Sequence, residues 1–373
     1  MHEPLVSVIT ACYRQGHLLP GAIESVLAQT CPAWELIVVN DGSPDETAAV
    51  AGRSAARDPA RIRLIEQDNQ GQARARQAGL AVARGAWLVQ LDADDRIEPR
   101  MLELCLEAFR ADPDLAVVVA DALLIADDES VLRPFEQTRL RPWPRILEYN
   151  PHGALAGIMV SAWAVREVGG LEFPGTPGCE DWDLWVRLAR CGYRFGVVKQ
   201  PLARYRQADA NYSRRALVML RSSIELLDRC RSADPRLAGA TRPPAPPIAE
   251  DRYARLRNGR VFYALGLAAG GGEDVRCFGE LLQFLQPGGF DLDAAATLFR
   301  WGCQYALLPR REPQRTAPER AASVARAVEQ ALTQAGFTRE AAAVSRRVRR
   351  ILTDPQRRDP MDRLRRWRRK LTG

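Results

Sequence analysis

The chain has 373 residues, room for two domains, and 46% hydrophobic content supports a sizeable core and excludes bulk disorder. Its formal charge of +7 is unevenly placed: residues 339–373 hold thirteen Lys/Arg against four Asp/Glu, a surplus of nine, which leaves the rest of the chain at −2. Eight cysteines without CxxC spacing argue against a zinc site and for a reducing compartment, and no run approaches the ~18 apolar residues of a membrane span.

The opening Met1-His2-Glu3-Pro4 has neither a basic nor an apolar leader pattern, so no signal peptide is expected. Apolar, β-branched runs follow at Leu5–Ala11, Trp34–Val39, Arg61–Ile65, Ala86–Leu91 and Leu115–Ala120, each short enough for a strand buried on both faces. Between them, His17–Gln29 and Gln72–Arg84 carry helical periodicity, the second with Gly85 as an expected C-cap, and Pro99 opens a third helix that Pro113 follows. Such alternation predicts an α/β fold with a mostly parallel central sheet flanked by helices, and a site beyond the strand C-terminal ends. Residues 123–151 read as irregular, Glu180–Arg190 as a helix, and Phe195–Lys199 and Ala203–Arg206 as two short strands. Beyond Tyr212 the pattern turns helical, at 215–230, 252–269, 275–285, 291–307 and 318–335, with Thr241–Pro247 read as a stiff proline-rich linker. The expected organisation is 1–213, a helical region 214–338, and a basic tail 339–373.

Four clusters carry candidate chemistry, three of them where the strands deliver their C-terminal ends. Leu91-Asp92-Ala93-Asp94-Asp95 brings three carboxylates together; Asp92 and Asp94 share a side, and a hard divalent cation would relieve their repulsion, with Asp95 also readable as a helix cap. Asn40-Asp41-Gly42-Ser43 is a turn after another buried strand. Asn69-Gln70-Gly71 feeds a helix carrying Arg74 and Arg76, a local arrangement suited to phosphate. Glu180-Asp181-Trp182-Asp183 sets acids among tryptophans at a helix start, where an apolar neighbour can tune a carboxylate into a general base.

Taken in chain order, together with Val6–Tyr13, Val168-Gly169-Gly170-Leu171 and the run to Trp185, these motifs resemble the family 2 glycosyltransferases of the GT-A fold over residues 5–213. The resemblance implies an inverting transfer of a sugar from a nucleotide-diphosphate donor, UDP-sugars favoured, to a hydroxyl on a glycan or lipid-linked acceptor. It implies that Thr10, Ala11, Tyr13, Asp41 and Arg76 bind the donor, and that Asp92 holds ribose or metal. Asp94 would ligate Mg²⁺ or Mn²⁺, Asp181 would be the general base with Glu180 beside it, and Trp182 and Trp185 would stack on a sugar or support that base. One departure is Ala208, where the family's late Tyr-Arg-x-His element has its histidine; it keeps open a degenerate sugar-nucleotide sensor or scaffold. Gln77 replaces the usual Asn.

The tail segments 346–350 and 363–370 are arginine-rich, with Leu364, Trp367 and Leu371 at one-face helical spacing. They read either as a solvated terminus or as peripheral contact with an anionic membrane of an otherwise cytoplasmic protein. No nucleic-acid motif accompanies the charge.

Overall fold

The structure, a computed structural model, describes residues 5–137, 142–148, 150, 154–171, 173–207, 212–271, 275–286, 292–306, 318–334 and 336–353. Ala208 and Asp209, on which the late-histidine reading turned, and the 363–370 segment lie outside the described residues.

The first strands form where apolarity is continuous. β1 (Val6–Cys12) and β2 (Trp34–Asp41) are buried along their whole length, and α1 (Leu19–Leu27) packs Leu19, Ala22, Ile23 and Val26 inward. α2 (Thr47–Arg57), β3 (Ile62–Gln67), α3 (Gln72–Val82) and β4 (Trp87–Gln90) complete the alternation. α3 departs from the expected apolar face: its buried residues are Ala75, Arg76, Gly79 and Leu80, whereas Val82 is exposed. Gly85 is not a C-cap. A Cβ there would meet the Ser7 amide nitrogen at 2.5 Å, so this glycine permits close approach to β1.

β5 (Arg96–Ile97) precedes α4 (Met101–Ala111), β6 (Leu115–Ile125) runs on past its predicted end, and β7 (Val131–Phe135) pairs with it. β8 (Ile158–Ser161), α5 (Ala162–Glu167) and α6 (Glu180–Arg190) lead to β9 (Arg194–Arg206). β9 is one strand, not the two expected, with register shifts against β6 that absorb its interruption. Among the described residues the strands join one sheet of order β3-β2-β1-β4-β8-β6-β9-β5, with β7 beside β6. It is parallel through β3, β2, β1 and β4, and becomes mixed where β8 pairs antiparallel with β4 and β6. The chain therefore has the GT-A-type architecture, an α/β sheet flanked by helices and followed by helices.

Two compact units divide the described chain: 1–208 with 225–249, and 209–224 with 250–373. The helix α7 (Ala216–Arg229) is shared between these ranges. Thr241–Pro247 belongs to the first unit and is no free linker: the Ala245 amide donates to the Arg190 carbonyl at 2.7 Å, and the Thr241 amide and hydroxyl both donate to Glu167. In the second unit, α8 (Glu250–Gly271), α9 (Val275–Leu282), α10 (Leu292–Ala306), α11 (Pro318–Gln334) and α12 (Thr338–Thr353) enclose a core of their own. α12 turns Ala341, Val344, Val348, Ile351 and Leu352 into that core and leaves Arg346, Arg349 and Arg350 exposed.

Candidate active site

The parallel strands end on one edge, and the loops there are fastened to each other by carboxylates. At the end of β1, Arg14 adopts φ +57°, a conformation uncommon outside glycine. Its amide donates to the Ser43 hydroxyl at 2.8 Å, and the Gly16 amide donates to Asp45 at 2.9 Å. Burial would raise the Asp45 carboxyl, but the Ser43 and Thr47 hydroxyls and the Gly16 amide hold it well below the usual range. Asp45 drew no attention in the sequence; the Ser43-Pro44-Asp45 turn before a helix was its only signal.

Asp41, at the end of β2, is buried, and both its oxygens are engaged. One accepts from Gln67 Nε2 and the Gln70 amide at 2.8 and 2.9 Å, and the other accepts from the Gly71 amide at 2.9 Å. It thus holds the loop that feeds α3. Gly42 completes the turn at φ +66°, where a Cβ would meet the Asn69 amide nitrogen at 2.7 Å. Thr10 lies buried within β1, its hydroxyl without a hydrogen-bond partner among the described residues; Ala11 is 9% exposed, and Tyr13 is open to solvent at 41%.

After β4 the chain turns, the Asp95 amide donating to the Asp92 carbonyl at 3.0 Å. The turn leaves Asp92 and Asp94 half-buried while Ala93 and Asp95 face inward. Burial raises the Asp94 carboxyl, and the Asp92 charge adds to this; Gln15 donates a hydrogen bond to it. Asp95 is not a helix cap: α4 starts after Arg100 with no side-chain cap. Its Oδ1 accepts from the Arg206 amide at 2.9 Å, its Oδ2 lacks a partner among the described residues, and burial, with Asp94 next, pushes its carboxyl well up. The buried Arg206 guanidinium donates to the carbonyls of Asp94, Ala126 and Asp127, clamping the acidic turn to the β6–β7 loop. Gln15 and Arg206 are site-forming residues whose roles appear only when distant segments meet.

Arg76 links the third and fourth motifs to the first. Its guanidinium is 4% exposed and donates to Asp92 Oδ1 at 2.5 Å, and Gln72 Nε2 reaches the same oxygen at 3.2 Å. Burial alone would depress its pKa, but the Asp92, Glu180 and Asp181 charges outweigh that and raise it. Arg74 is exposed instead. Asp181 is half-buried; removal from water pushes its carboxyl up to about 6, against a 3.0 Å hydrogen bond from Asn150 Nδ2 and the Arg76 charge, and with Glu180 adding to the rise. Glu180 accepts from the Gly178 amide at 2.9 Å.

The rest of the fourth motif is structural. Asp183 is buried between Arg187 and Arg236, at 2.8 Å from each, and Arg187 donates to the Val168 and Gly170 carbonyls. Gln77 Oε1 accepts from the Leu171 amide at 2.8 Å, so α3 and α6 both hold the Gly169-Gly170 turn. Trp182 and Trp185 are 4% and 1% exposed, too buried to stack on a sugar; Trp182 Nε1 donates to the Ile146 carbonyl at 3.1 Å and packs beneath the site.

The donor set fits a divalent cation of the magnesium type. Among the described residues no three His, Cys, Asp or Glu side chains cluster as a metal cage. Two neighbouring carboxylates, Asp92 and Asp94, suit an ion that takes one or two protein ligands and fills its shell with phosphate oxygens and water.

A sheet whose parallel strands converge on acidic turns defines the class as a GT-A-type α/β protein. The "Glycosyl transferase family 2" model matches residues 7–166. The putative glycosyltransferase EpsE of Bacillus subtilis is 31% identical over 231 residues, 61% of this chain and 82% of that protein. The chain therefore belongs to glycosyltransferase family 2. The chondroitin synthase of Pasteurella multocida is 35% identical over 129 residues, 35% of this chain; the match spans 13% of that much longer protein. In structure, S. aureus TarS 1–349 in complex with UDP-GlcNAc aligns at TM-score 0.57 with 15% identity, over 92% of this chain and 91% of that one.

Proposed function

We propose that this chain is an inverting glycosyltransferase that moves a sugar from a nucleotide-diphosphate donor, a UDP-sugar favoured, onto a hydroxyl of a glycan or lipid-linked acceptor in polysaccharide synthesis. The observation that carries this reading is Arg76, a buried cation held among Asp92 on the donor side and Glu180 and Asp181 on the acceptor side. A carboxylate with its pKa near 6 is poised to take a proton from an alcohol as that alcohol attacks. The acceptor oxygen loses its proton to Asp181 and bonds to the anomeric carbon. The bond from that carbon to the diphosphate breaks, and its electron pair leaves with the nucleoside diphosphate, inverting the centre. Asp94 and Asp92 would hold Mg²⁺ or Mn²⁺, which when bound neutralises the leaving diphosphate. Thr10, Ala11, Tyr13 and Asp41 frame the donor pocket in this reading, with Asp41 acting through the loop it holds as well as on the base. Intact acids at 92, 94 and 181 favour turnover over a sensor or scaffold.

The exposed arginines of α12 support peripheral contact with an anionic membrane surface. Because the apolar face of this helix is already buried, the part α12 plays in that contact is electrostatic.

Nucleotide sugars screened by thermal shift with Mn²⁺, then assayed for transfer, test the reading. Asp181→Asn should bind UDP and fail to transfer, and Asp94→Asn should lose stimulation by metal. If no nucleotide sugar stabilises or is consumed by the folded chain, the proposal is wrong.

A further inference from the structure

α6 has a catalytic end and a second end that the proposed reaction does not use. Asp181 sits in its first turn and Arg190 is its last residue, about 14 Å away along the axis at 1.5 Å per residue. A cleft of about 590 Å³ opens at that far end, lined by Pro142, Trp143, residues 189–192, Arg242, Pro243 and Ala245. Its lining contains two arginines, Arg190 and Arg242, and no carboxylate.

The cleft walls are aromatic faces and cations. Arg190, buried and held by the Ala245 and Ser232 carbonyls at 2.9 Å each, carries its guanidinium carbon 5.2 Å from the centre of the half-buried Trp143 ring. On the other wall Arg242 is exposed and lies 4.6 Å from the Tyr193 ring centre. Tyr193 in turn meets Trp163 edge-on at 6.1 Å, and Trp163 is 53% exposed, so an aromatic surface continues out of the cleft. Glu167 lies behind this wall, where it accepts from the Thr241 amide and hydroxyl and from the Tyr193 hydroxyl and lies within electrostatic reach of Arg242.

The cleft is also joined to the catalytic end. Trp143 lines it, Ile146 accepts from Trp182, and Asn150 bonds Asp181. One stretch of chain thus runs beside α6 from the cleft to the base.

We propose that this cleft is a distal subsite for an acidic oligosaccharide, an already-built part of the acceptor chain whose growing end lies at Asp181. Pyranose rings present apolar faces that stack on indole, and sugar carboxylates or other acidic substituents match Arg242 and Arg190. The inference rests on the glycosyltransferase reading.

The test titrates the full chain with a galacturonic acid hexasaccharide and, separately, with the neutral maltohexaose, by calorimetry at low and high salt. The acidic chain should bind more tightly than the neutral one, weaken with salt, and lose about tenfold in affinity in Arg242→Ser and in Trp143→Ala. Donor hydrolysis without acceptor should be unchanged in Arg242→Ser, whose site is exposed and tolerant. Equal binding of both sugars, no binding of the acidic one, or wild-type affinity in Arg242→Ser overturns the proposal. Concentration-dependent dimerisation abolished by Trp163→Ser would assign the face to a second copy and overturn it too. UDP titration of the same samples separates the two readings: a chain that binds UDP but not the hexasaccharide loses only this subsite, whereas one that binds no nucleotide loses the glycosyltransferase reading itself.

Discussion

Asp181 carries the sharpest consequences at the scale of single residues. A base must be ionised, so transfer should fall about tenfold per pH unit below about pH 6 and level off above it, read from initial rates between pH 5 and 8. The same group costs stability. A carboxyl whose folded pKa exceeds its unfolded value imposes no penalty when both states are protonated. The penalty grows as pH rises from about 4 and is complete above about 6. Asp181→Asn should therefore lose about 10²–10⁴-fold in transfer yet melt higher than the parent at pH 7, by up to about 3 kcal/mol, an advantage that vanishes near pH 4. Arg76 works in the opposite sense. Removing this buried cation leaves Asp92, Glu180 and Asp181 facing one another, so Arg76→Ala should destabilise by about 3–5 kcal/mol and move the acid limb of the pH profile upward. A profile unmoved in Arg76→Ala would detach Arg76 from the base. The acids at 41, 92, 94 and 181 stand out in the sequence because each follows a recognisable run or motif. Gln15 and Asn150 do not, because a single glutamine or asparagine has no local pattern until folding sets it against a partner more than thirty residues away, and Arg206 shows only as the arginine of the late Tyr-Arg-x-His element.

At the scale of elements, backbone approach decides what can be changed. Gly42 combines φ +66° with a Cβ position 2.7 Å from the Asn69 amide nitrogen. Gly42→Ala should cost about 1–3 kcal/mol and raise KM for the donor, because the displaced loop is the one Asp41 holds. In the second unit, α8 and α10 cross with glycines facing backbone: a Cβ on Gly266 would stand 1.9 Å from the Phe299 carbonyl oxygen, and one on Gly302 would stand 2.1 Å from the Tyr263 carbonyl oxygen. Gly302→Val should depress the melting temperature by several degrees while leaving UDP binding by the first unit's site in place, measured by calorimetry below the transition. Apart from β8, whose four residues become a strand only between β4 and β6, buried strands and amphipathic helices were legible to within a few residues because periodicity and apolarity act locally. β5 and β7 were not, since a two-residue edge strand and a largely exposed hairpin strand become strands only through the partners they pair with.

For the whole molecule, ligand and surface effects are the measurable ones. A ligand that binds only the native state stabilises by mass action, about 2.7 kcal/mol at a hundredfold excess over Kd. UDP with Mn²⁺ should raise the melting temperature more than UDP alone, and Asp94→Asn should erase that difference. Vesicles containing anionic lipid should co-sediment the chain at low ionic strength and release it at high salt; retention at high salt would indicate insertion in place of surface attraction. What the amino-acid order determined by itself was the alternation of buried strands and helices, the edge at which acids would gather, and the family, because hydrophobic period, turn residues and short motifs are written in consecutive positions. What only the tertiary structure decided was which polar groups serve the chemistry and which serve the core. Asp183 and the two tryptophans stand beside Asp181 in one motif, but Asp183 is consumed by Arg187 and Arg236 and the tryptophans by packing. Burial and charge pairing are set by whatever arrives from elsewhere in the chain, so no local pattern can distinguish a structural carboxylate from a reactive one.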